Sequence, residues 1–136
     1  MPQSLSAGGG AANTIHGLAN MDVATSFIGK IGDDVFGRAF KTSMEEVGIN
    51  PIMLQGKAES GRTLALVSTD SERTFAVYLG AALELTAVDL KPEMFEGFDY
   101  FHVEGYLVQN HEMLLRALEI ASAKGLQISF DLASYN

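Results

Sequence analysis

Residues 27–37 read F-I-G-K-I-G-D-D-V-F-G, in which a short apolar run passes through two glycines into a helical pattern. The β-branched and aromatic residues of segment 23–28 predict a strand. Asp33 or Asp34 can cap the following helix, because a carboxylate accepts hydrogen bonds from the free N–H groups of a first helical turn. A strand followed directly by a capped helix is the repeating unit of α/β folds with a parallel sheet.

The same alternation of strand and helix recurs on both sides of this stretch. Apolar residues at helical spacing predict helices over 11–21, 35–47 and 111–124. Runs of β-branched and aromatic residues predict further strands over 98–103 and 127–130. Helices of this length between strands indicate βαβ units, so the expected fold class is α/β, with a parallel sheet flanked by helices.

The middle of the chain has a different hydrophobic pattern. Segments 63–69 and 73–79 alternate apolar and polar residues, and residues 70–72 between them are Asp, Ser and Glu. This pattern predicts a β-hairpin. Because a hairpin does not belong to a βαβ series, we expect it to form a separate small sheet at one edge of the α/β layer.

Composition excludes several classes of function. The 136 residues include 9 Lys+Arg and 17 Asp+Glu, a formal net charge of −8, which disfavours binding to nucleic acids and anionic membranes. The chain has no Cys, which excludes disulfides and Cys-ligated zinc or iron–sulfur sites. Its apolar runs are far shorter than the ~20 residues of a membrane span, and no signal peptide is visible. We therefore expect a cytoplasmic protein.

Residues 8–13, G-G-G-A-A-N, are the first candidate binding feature. Glycines let backbone N–H groups approach a ligand closely, and a helix N-terminus suits an oxygen-rich ligand. The amide of Asn13 can donate and accept, which matches a sugar hydroxyl. A flexible linker or tag scar is the alternative interpretation. Asn13 stands where G-x-G-x-x-G needs its third glycine, and no P-loop motif occurs, so dinucleotide-binding and P-loop folds are disfavoured.

Carboxylates at strand ends are the second candidate feature. Ligands of open α/β sheets bind beyond the carboxyl ends of the strands, where we expect segments 29–34, 104–106 and 131–136 to lie beside the glycine-initiated helix. Asp131 follows a predicted strand and is either functional or a turn cap. Asp34 is interpreted as a helix cap, with metal binding by the adjacent carboxylates as the weaker alternative.

The histidines do not indicate a metal site. Metal ligands recur at short characteristic spacings and are accompanied by Cys or further His residues. Neither feature occurs around the three histidines, so no metal ligands are predicted among His16, His102 and His111.

Two of these stretches in combination carry a family resemblance. Segments 8–14 and 27–37 together resemble the N-terminal signature of the PfkB carbohydrate kinase family, which includes ribokinase, fructokinase and adenosine kinase. Segments 61–63 and 71–75 resemble the family's lid strands, and 103–107 resembles the end of its next core strand. The resemblance covers essentially the whole chain and implies a ribokinase-like parallel sheet with a small β-sheet lid.

On this resemblance, residues 1–136 correspond to the N-terminal part of a PfkB-type kinase domain. The α/β core would comprise residues 8–50 and 87–136, and the lid hairpin would span approximately residues 61–83. Two local departures from the family pattern are Ile15, where a small residue is usual, and residues 21–22, Met-Asp, where Leu-Gly is usual.

The resemblance also implies a chemistry. Family members transfer the γ-phosphoryl group of ATP to a hydroxymethyl group of a sugar or nucleoside, while a closing lid excludes water. Gly10 stands where many members have Ser, Ala or Lys, which disfavours a strict ribokinase pattern. The substrate-binding residues that the resemblance implies are Gly8, Gly9, Gly10, Asn13, Thr63, Leu79, Ala82 and Tyr106.

The family's catalytic G-A-G-D motif is absent from the 136 residues. The later region that builds the ATP pocket is absent too, as is the first core strand that normally precedes the glycines and carries a substrate-contacting Asp. ATP and Mg²⁺ are therefore expected to serve the complete enzyme. We expect this chain to be the substrate-binding and lid portion, without catalytic residues and inactive alone.

A non-catalytic module is the alternative function. A short α/β domain could retain the sugar or nucleoside pocket for sensing, or use the lid for homodimerisation, because exposed lid strands have unpaired edges. A reading frame that continues past Asn136 to a G-A-G-D motif would favour the kinase, and a stop codon there would favour the module.

Overall fold

The computed structural model describes residues 6–132, which form an α/β structure. The helices are α1 (Gly10–Ala19), α2 (Val35–Glu46) and α3 (His111–Ala123). The strands are β1 (Ser26–Ile31), β2 (Asn50–Gln55), β3 (Arg62–Val67), β4 (Arg73–Tyr78), β5 (Tyr100–Glu104) and β6 (Gln127–Asp131). Short 3-10 turns occupy Gly80–Glu84, Ala87–Asp89, Pro92–Phe95 and Gly105–Gln109.

Two strand–helix–strand units build the α/β part. In the first, β1 and β2 pair in parallel and α2 connects them; in the second, β5 and β6 pair in parallel and α3 connects them. Parallel neighbours need such a crossover, because the chain must return to the same end of the sheet. The expected α/β fold class is confirmed, and within residues 6–132 the parallel strands form two separate pairs.

Capping side chains set where two of the helices begin. The carboxylate of Asp34 accepts a 2.8 Å hydrogen bond from the N–H of Gly37 at the start of α2. The side-chain oxygen of Asn110 likewise accepts from the N–H of Met113 at 3.2 Å in α3. Both bonds satisfy N–H groups that have no partner inside the helix.

Strand β1 lies between two apolar clusters. Phe27 packs against the cluster of α1 and α2, whereas its neighbour Ile28 packs against the cluster of α3. Successive strand residues point to opposite faces, so β1 contributes to both clusters at once. The buried members are Ala12, Met44 and Ile49 in the first cluster and Leu90, Phe95, Met113, Ala117, Ile120 and Ala121 in the second.

The antiparallel hairpin β3–β4 stands apart from these clusters. Its register places Arg62 opposite Tyr78 and Val67 opposite Arg73. All residues of both strands are exposed, which includes the apolar side chains of Leu64 and Phe75. The expected separate hairpin is thus confirmed, and both of its faces are exposed to solvent.

The largest differences from the sequence prediction concern β1 and β2. Strand β1 begins at Ser26 rather than at residue 23, because the chain leaves α1 through a turn with Asp22 at φ 61°. Strand β2 lies outside the predicted order of elements, because Pro51 at its second position is typical of a helix stop or an edge strand. Pro51 is accommodated because β2 pairs only with β1 within the described residues. None of the helices in residues 6–132 has the length and apolarity needed to cross a membrane.

Candidate functional site

The N-terminus of α1 meets the end of β5. Helix α1 begins at Gly10, and Gly9 before it has φ 112° and provides no side-chain cap. The first N–H groups of a helix have no intrahelical acceptor, so they face outward as donors. A Cβ at Gly10 would lie 2.6 Å from both carboxylate oxygens of Glu104. The missing side chain therefore lets the Glu104 carboxylate lie directly against the first turn of α1.

The end of β6 lies beside the end of β5. Glu104 and Asp131 are opposite each other in the parallel ladder, and a Cβ at Gly105 would lie 2.6 Å from the carbonyl oxygen of Asp131. Parallel strands place their carboxyl ends at one edge, so Glu104 and Asp131 share this edge, and Glu104 lies against the α1 N-terminus. Residues 133–136 of the predicted edge lie outside the described residues.

This edge combines donors and acceptors in the way that a hydroxyl-rich ligand requires. A hydroxyl group can donate to a carboxylate and accept from a backbone N–H at the same time. Glu104 supplies a carboxylate, and the first turn of α1 supplies outward N–H groups. Gly8 and Asn13 are both exposed near this turn, and the Asn13 N–H is used within the helix, at 2.8 Å from the carbonyl of Gly9.

Asp34 has a structural role at the start of α2. Its carboxylate accepts hydrogen bonds from the N–H groups of Gly37 (2.8 Å) and Ser60 (2.6 Å), which lower the pKa of Asp34 from 3.8 to about 2. The adjacent Asp33 carboxylate instead pairs with Arg38 at 2.9 Å in solvent. The helix-cap interpretation of Asp34 is confirmed. Within residues 6–132, no three His, Asp or Glu side chains group as metal ligands would.

The two ends of the hairpin β3–β4 are clamped where they leave the α/β part, a region we call the hairpin root (residues 59–61 and 79–81). Ser60 is only 3% exposed, and its hydroxyl accepts a 2.9 Å hydrogen bond from the N–H of Gly32. The N–H of Ala81 donates to the carbonyl of Glu59 at 2.8 Å. Gly80 has φ 50°, and a Cβ there would collide with the Glu59 carbonyl. The buried Ser60 hydroxyl and the backbone hydrogen bond between Ala81 and Glu59 thus hold both strands at the root.

The predicted lid residues lie near this root. Thr63 is in β3 opposite Val77, Leu79 directly follows β4, and Ala82 is in the next 3-10 turn; all three are exposed. Tyr106, which is 65% exposed, instead follows Glu104 by two residues at the edge described above. In the described part of the chain, neither Thr63 nor Tyr106 makes a side-chain hydrogen bond to α1.

Sequence reasoning did not single out two charged residues that make specific contacts in the structure, Glu104 and Lys30. Glu104 carries the same signal as Asp131, a carboxylate at the end of a strand, and could have been found by it. Lys30 is 13% exposed in β1, and its Nζ donates to the Asp89 carboxylate at 2.9 Å and to the Glu84 carbonyl at 3.0 Å. This hydrogen bond is the main reason that the pKa of Asp89 is lowered. A lone Lys in an apolar strand is the only sequence signal for that pair.

Comparisons with known proteins agree with this architecture. The family model described as pfkB family carbohydrate kinase matches residues 3–135. Fructokinase-1 of Oryza sativa subsp. japonica is 29% identical over 131 residues, which cover 91% of this chain and 41% of that relative. The chain thus spans about two fifths of the curated relative.

Solved structures give the same result. Adenosine kinase from Sinorhizobium meliloti superposes with a TM-score of 0.80 at 28% identity, over 91% of this chain and 39% of that one. A putative Ribokinase II from E. coli, solved in complex with ATP and Mg²⁺, has the same fold, with a TM-score of 0.80 at 22% identity over 91% of this chain and 42% of that one. The fold, the glycine-initiated helix beside the strand ends and the family match over residues 3–135 together lead to one conclusion: the chain belongs to the pfkB family of carbohydrate kinases.

Proposed function

We propose that this chain is the substrate-binding and lid portion of an ATP-dependent kinase that phosphorylates a hydroxymethyl group of a sugar or nucleoside. The observation that carries the proposal is the position of Glu104 against Gly10 at the N-terminus of α1. A carboxylate acceptor beside helix N–H donors binds a polyol through complementary hydrogen bonds. Sugars and the ribose of nucleosides both present such hydroxyls.

Each candidate residue has a role in this proposal. The backbone N–H groups of Gly8, Gly9 and Gly10 donate to substrate oxygens, and Asn13 adds a side-chain amide. Glu104 accepts from a substrate hydroxyl, with Asp131 at the same edge of the strands. Tyr106 packs against one side of the substrate.

The hairpin β3–β4 would act as the lid. Thr63, Leu79 and Ala82 lie at its base, where a closing lid would contact the substrate, and the exposed apolar side chains beyond them would lose water on closure. Exclusion of water from the site keeps a phosphoryl group from being transferred to water instead of to the substrate.

ATP and Mg²⁺ belong to the complete enzyme in this proposal. The described residues do not fit a triphosphate: the group beside the α1 N-terminus is a carboxylate, which repels phosphate, and no carboxylate cluster suits Mg²⁺. We derive no step through either group for this chain. ATP as the phosphate donor is supported by the E. coli neighbour that was solved with ATP and Mg²⁺. The proposed compartment is the cytoplasm, where ATP is made and used.

A dimerisation module is the second candidate function, and the open hairpin favours it. Both faces and one edge of each strand are available, and apolar side chains such as Leu64 (60% exposed) and Phe75 (57% exposed) would be covered if two hairpins paired. Edge strands of this kind readily pair with a second chain. The two candidates are compatible, because a paired hairpin can still cover a substrate with its other face.

Binding of D-fructose and of adenosine to the chain tests the main proposal. Titration followed by amide chemical shifts should perturb the signals of Gly9, Gly10, Asn13 and Gly105 with one of these ligands. Glu104→Gln should weaken that affinity by about tenfold or more, because a hydrogen bond to a charged group contributes about 1.5–3 kcal/mol. Glu46→Gln, at the exposed end of α2, is the matched control and should leave the affinity unchanged.

Two outcomes would contradict the proposal. Binding that persists unchanged in Glu104→Gln would remove Glu104 from the site, and the absence of binding by either ligand would leave the dimerisation module as the better candidate. Light scattering at increasing protein concentration measures that alternative directly, and a monomer at all concentrations would exclude it.

A further inference from the structure

Arg62, the first residue of β3, contacts aromatic rings on two different elements. Its guanidinium carbon lies 5.1 Å from the ring centre of Tyr78 and 5.3 Å from the ring centre of Phe36. Tyr78 is its cross-strand neighbour in the hairpin, whereas Phe36 lies in the first turn of α2. A guanidinium over a ring at these distances makes a cation–π contact. Arg62 therefore joins the hairpin strands to the α/β part through side chains.

A third contact holds the guanidinium in place. Arg62 donates through Nη2 to the carboxylate of Glu59 at 2.7 Å, and its side chain is 44% exposed. An exposed ion pair of this kind contributes little by itself. It does orient the planar guanidinium, and a planar group with fixed orientation is suited to contact rings.

The other attachments of the hairpin are concentrated at its root. The hydrogen bonds of Ser60 to Asp34 and of Ala81 to Glu59 fix where the two strands leave the α/β part. Beyond the root, the strands are exposed at every position. Contacts at one point fix the position of a pivot but resist rotation about it weakly. The contact between Arg62 and Phe36 joins β3 to α2 one residue beyond the root, so it opposes such a rotation.

We propose that Arg62 is a positioning residue that sets the angle of the hairpin relative to α2, and that loss of its contact with Phe36 frees the hairpin to swing about its root. The proposal concerns the angle of the hairpin only. It goes beyond the proposed function and holds or fails whether or not the chain binds a sugar, because its test needs no ligand.

The chain has no Cys, so two spin labels can be placed without removing native thiols. Glu72→Cys puts one label in the hairpin turn, and Ser122→Cys puts the other at an exposed position in the last turn of α3. Distances between them are measured by pulsed electron–electron double resonance in the 136-residue chain. Arg62→Ala should broaden the distance distribution and raise the displaced population by about two- to tenfold, the range that loss of exposed cation–π and ion-pair contacts implies. Arg73→Ala, an exposed arginine far from the root, is the matched control and should leave the distribution unchanged.

Two further variants separate this proposal from a general loosening. Arg62→Lys keeps the charge for Glu59 but loses the planar group, so it should broaden the distribution as well. Phe36→Leu should broaden the distance distribution as Arg62→Ala does. The double variant should broaden it no further, because both changes remove the same contact between the hairpin and α2. The proposal is overturned if Arg62→Ala matches Arg73→Ala, if Arg62→Lys matches the wild type, or if the effects of Phe36→Leu and Arg62→Ala add.

Discussion

The carboxylate of Asp34 accepts a 2.6 Å hydrogen bond from the backbone N–H of Ser60, a residue that follows it by 26 positions and lies two residues before β3. The same carboxylate caps α2 through the N–H of Gly37. One side chain therefore determines both where α2 begins and where the hairpin leaves the α/β part. Asp34 therefore acts both as a local helix cap and as the attachment point of the hairpin, which is distant from it in sequence.

Acid should weaken this anchor in a defined range of pH. The pKa of Asp34 is lowered from 3.8 to about 2 in the folded chain, so its contribution to the free energy of unfolding is present above about pH 4 and is lost as the pH falls towards 2. The lowered pKa corresponds to at most about 2.5 kcal/mol, at 1.36 kcal/mol per pKa unit. Urea unfolding between pH 7 and pH 2.5 should show the stability gap between the wild type and Asp34→Asn closing as the pH falls. Asp33→Asn, with an exposed carboxylate, is the control, and a gap that stays constant with pH would contradict the assignment.

Gly10→Ala should separate folding from binding. The atoms nearest to the new Cβ are the carboxylate end of Glu104, which is flexible and can move away, so stability should change by less than about 1 kcal/mol. The displaced carboxylate would no longer lie beside the helix N–H groups. We expect weaker binding of the ligand identified by titration, with an unchanged melting temperature. Wild-type affinity in this variant would show that the position of Glu104 does not matter for the site.

Gly80→Ala should destabilise the chain by more than about 2 kcal/mol. Its φ of 50° strains any other residue, and the added Cβ would collide with the carbonyl of Glu59, which belongs to the backbone and cannot move alone. Gly17→Ala in α1 is the matched control, because nothing lies within 4 Å of its Cβ position. Alanine there should stabilise the helix by roughly 0.5–1 kcal/mol. Thermal unfolding of the two variants measures the contrast, and equal melting temperatures would argue against a rigid hairpin root.

Lys30 and Asp89 should be energetically coupled. Lys30→Met would leave the Glu84 carbonyl and the Asp89 carboxylate without this donor, at a cost of about 1–3 kcal/mol. Asp89→Asn should cost less, because its amide can still accept from Lys30. The double variant should lose less stability than the two single changes together, which urea unfolding can measure as a double-mutant cycle. If the two losses of stability were additive, the ion pair between Lys30 and Asp89 would contribute no coupling free energy.

The 136-residue polypeptide should transfer no phosphate. It contains no G-A-G-D motif, and phosphoryl transfer needs positioned phosphates, a metal ion and a base. A coupled assay of ADP release with D-fructose and with adenosine should therefore remain at the rate of the enzyme-free control. Sustained turnover by the purified chain would overturn this prediction and require catalytic residues within these 136 positions.

Local signals predicted most of the elements correctly. Asp34 and Asn110 mark the starts of α2 and α3 because capping is a property of the first helical turn and depends on few neighbours. Strand β2 could not be predicted in the same way, because its pairing partner β1 lies more than twenty residues earlier and stabilises a strand that contains Pro51. The pairing of Lys30 with Asp89 is non-local for the same reason.

The features of the candidate site also separate into those set by local sequence and those set by tertiary packing. The sequence by itself determined the family, the α/β class and the glycine-initiated helix, because these depend on residue patterns over short segments. Only the tertiary structure decided that Glu104 faces Gly10, that Asp34 holds Ser60, and that Arg62 links Tyr78 with Phe36. These relationships join residues that are 16 to 94 positions apart, as read from the sequence numbers. Such residues come into contact only when strands and helices pack against one another. The residue pattern of a single short segment therefore cannot predict these contacts.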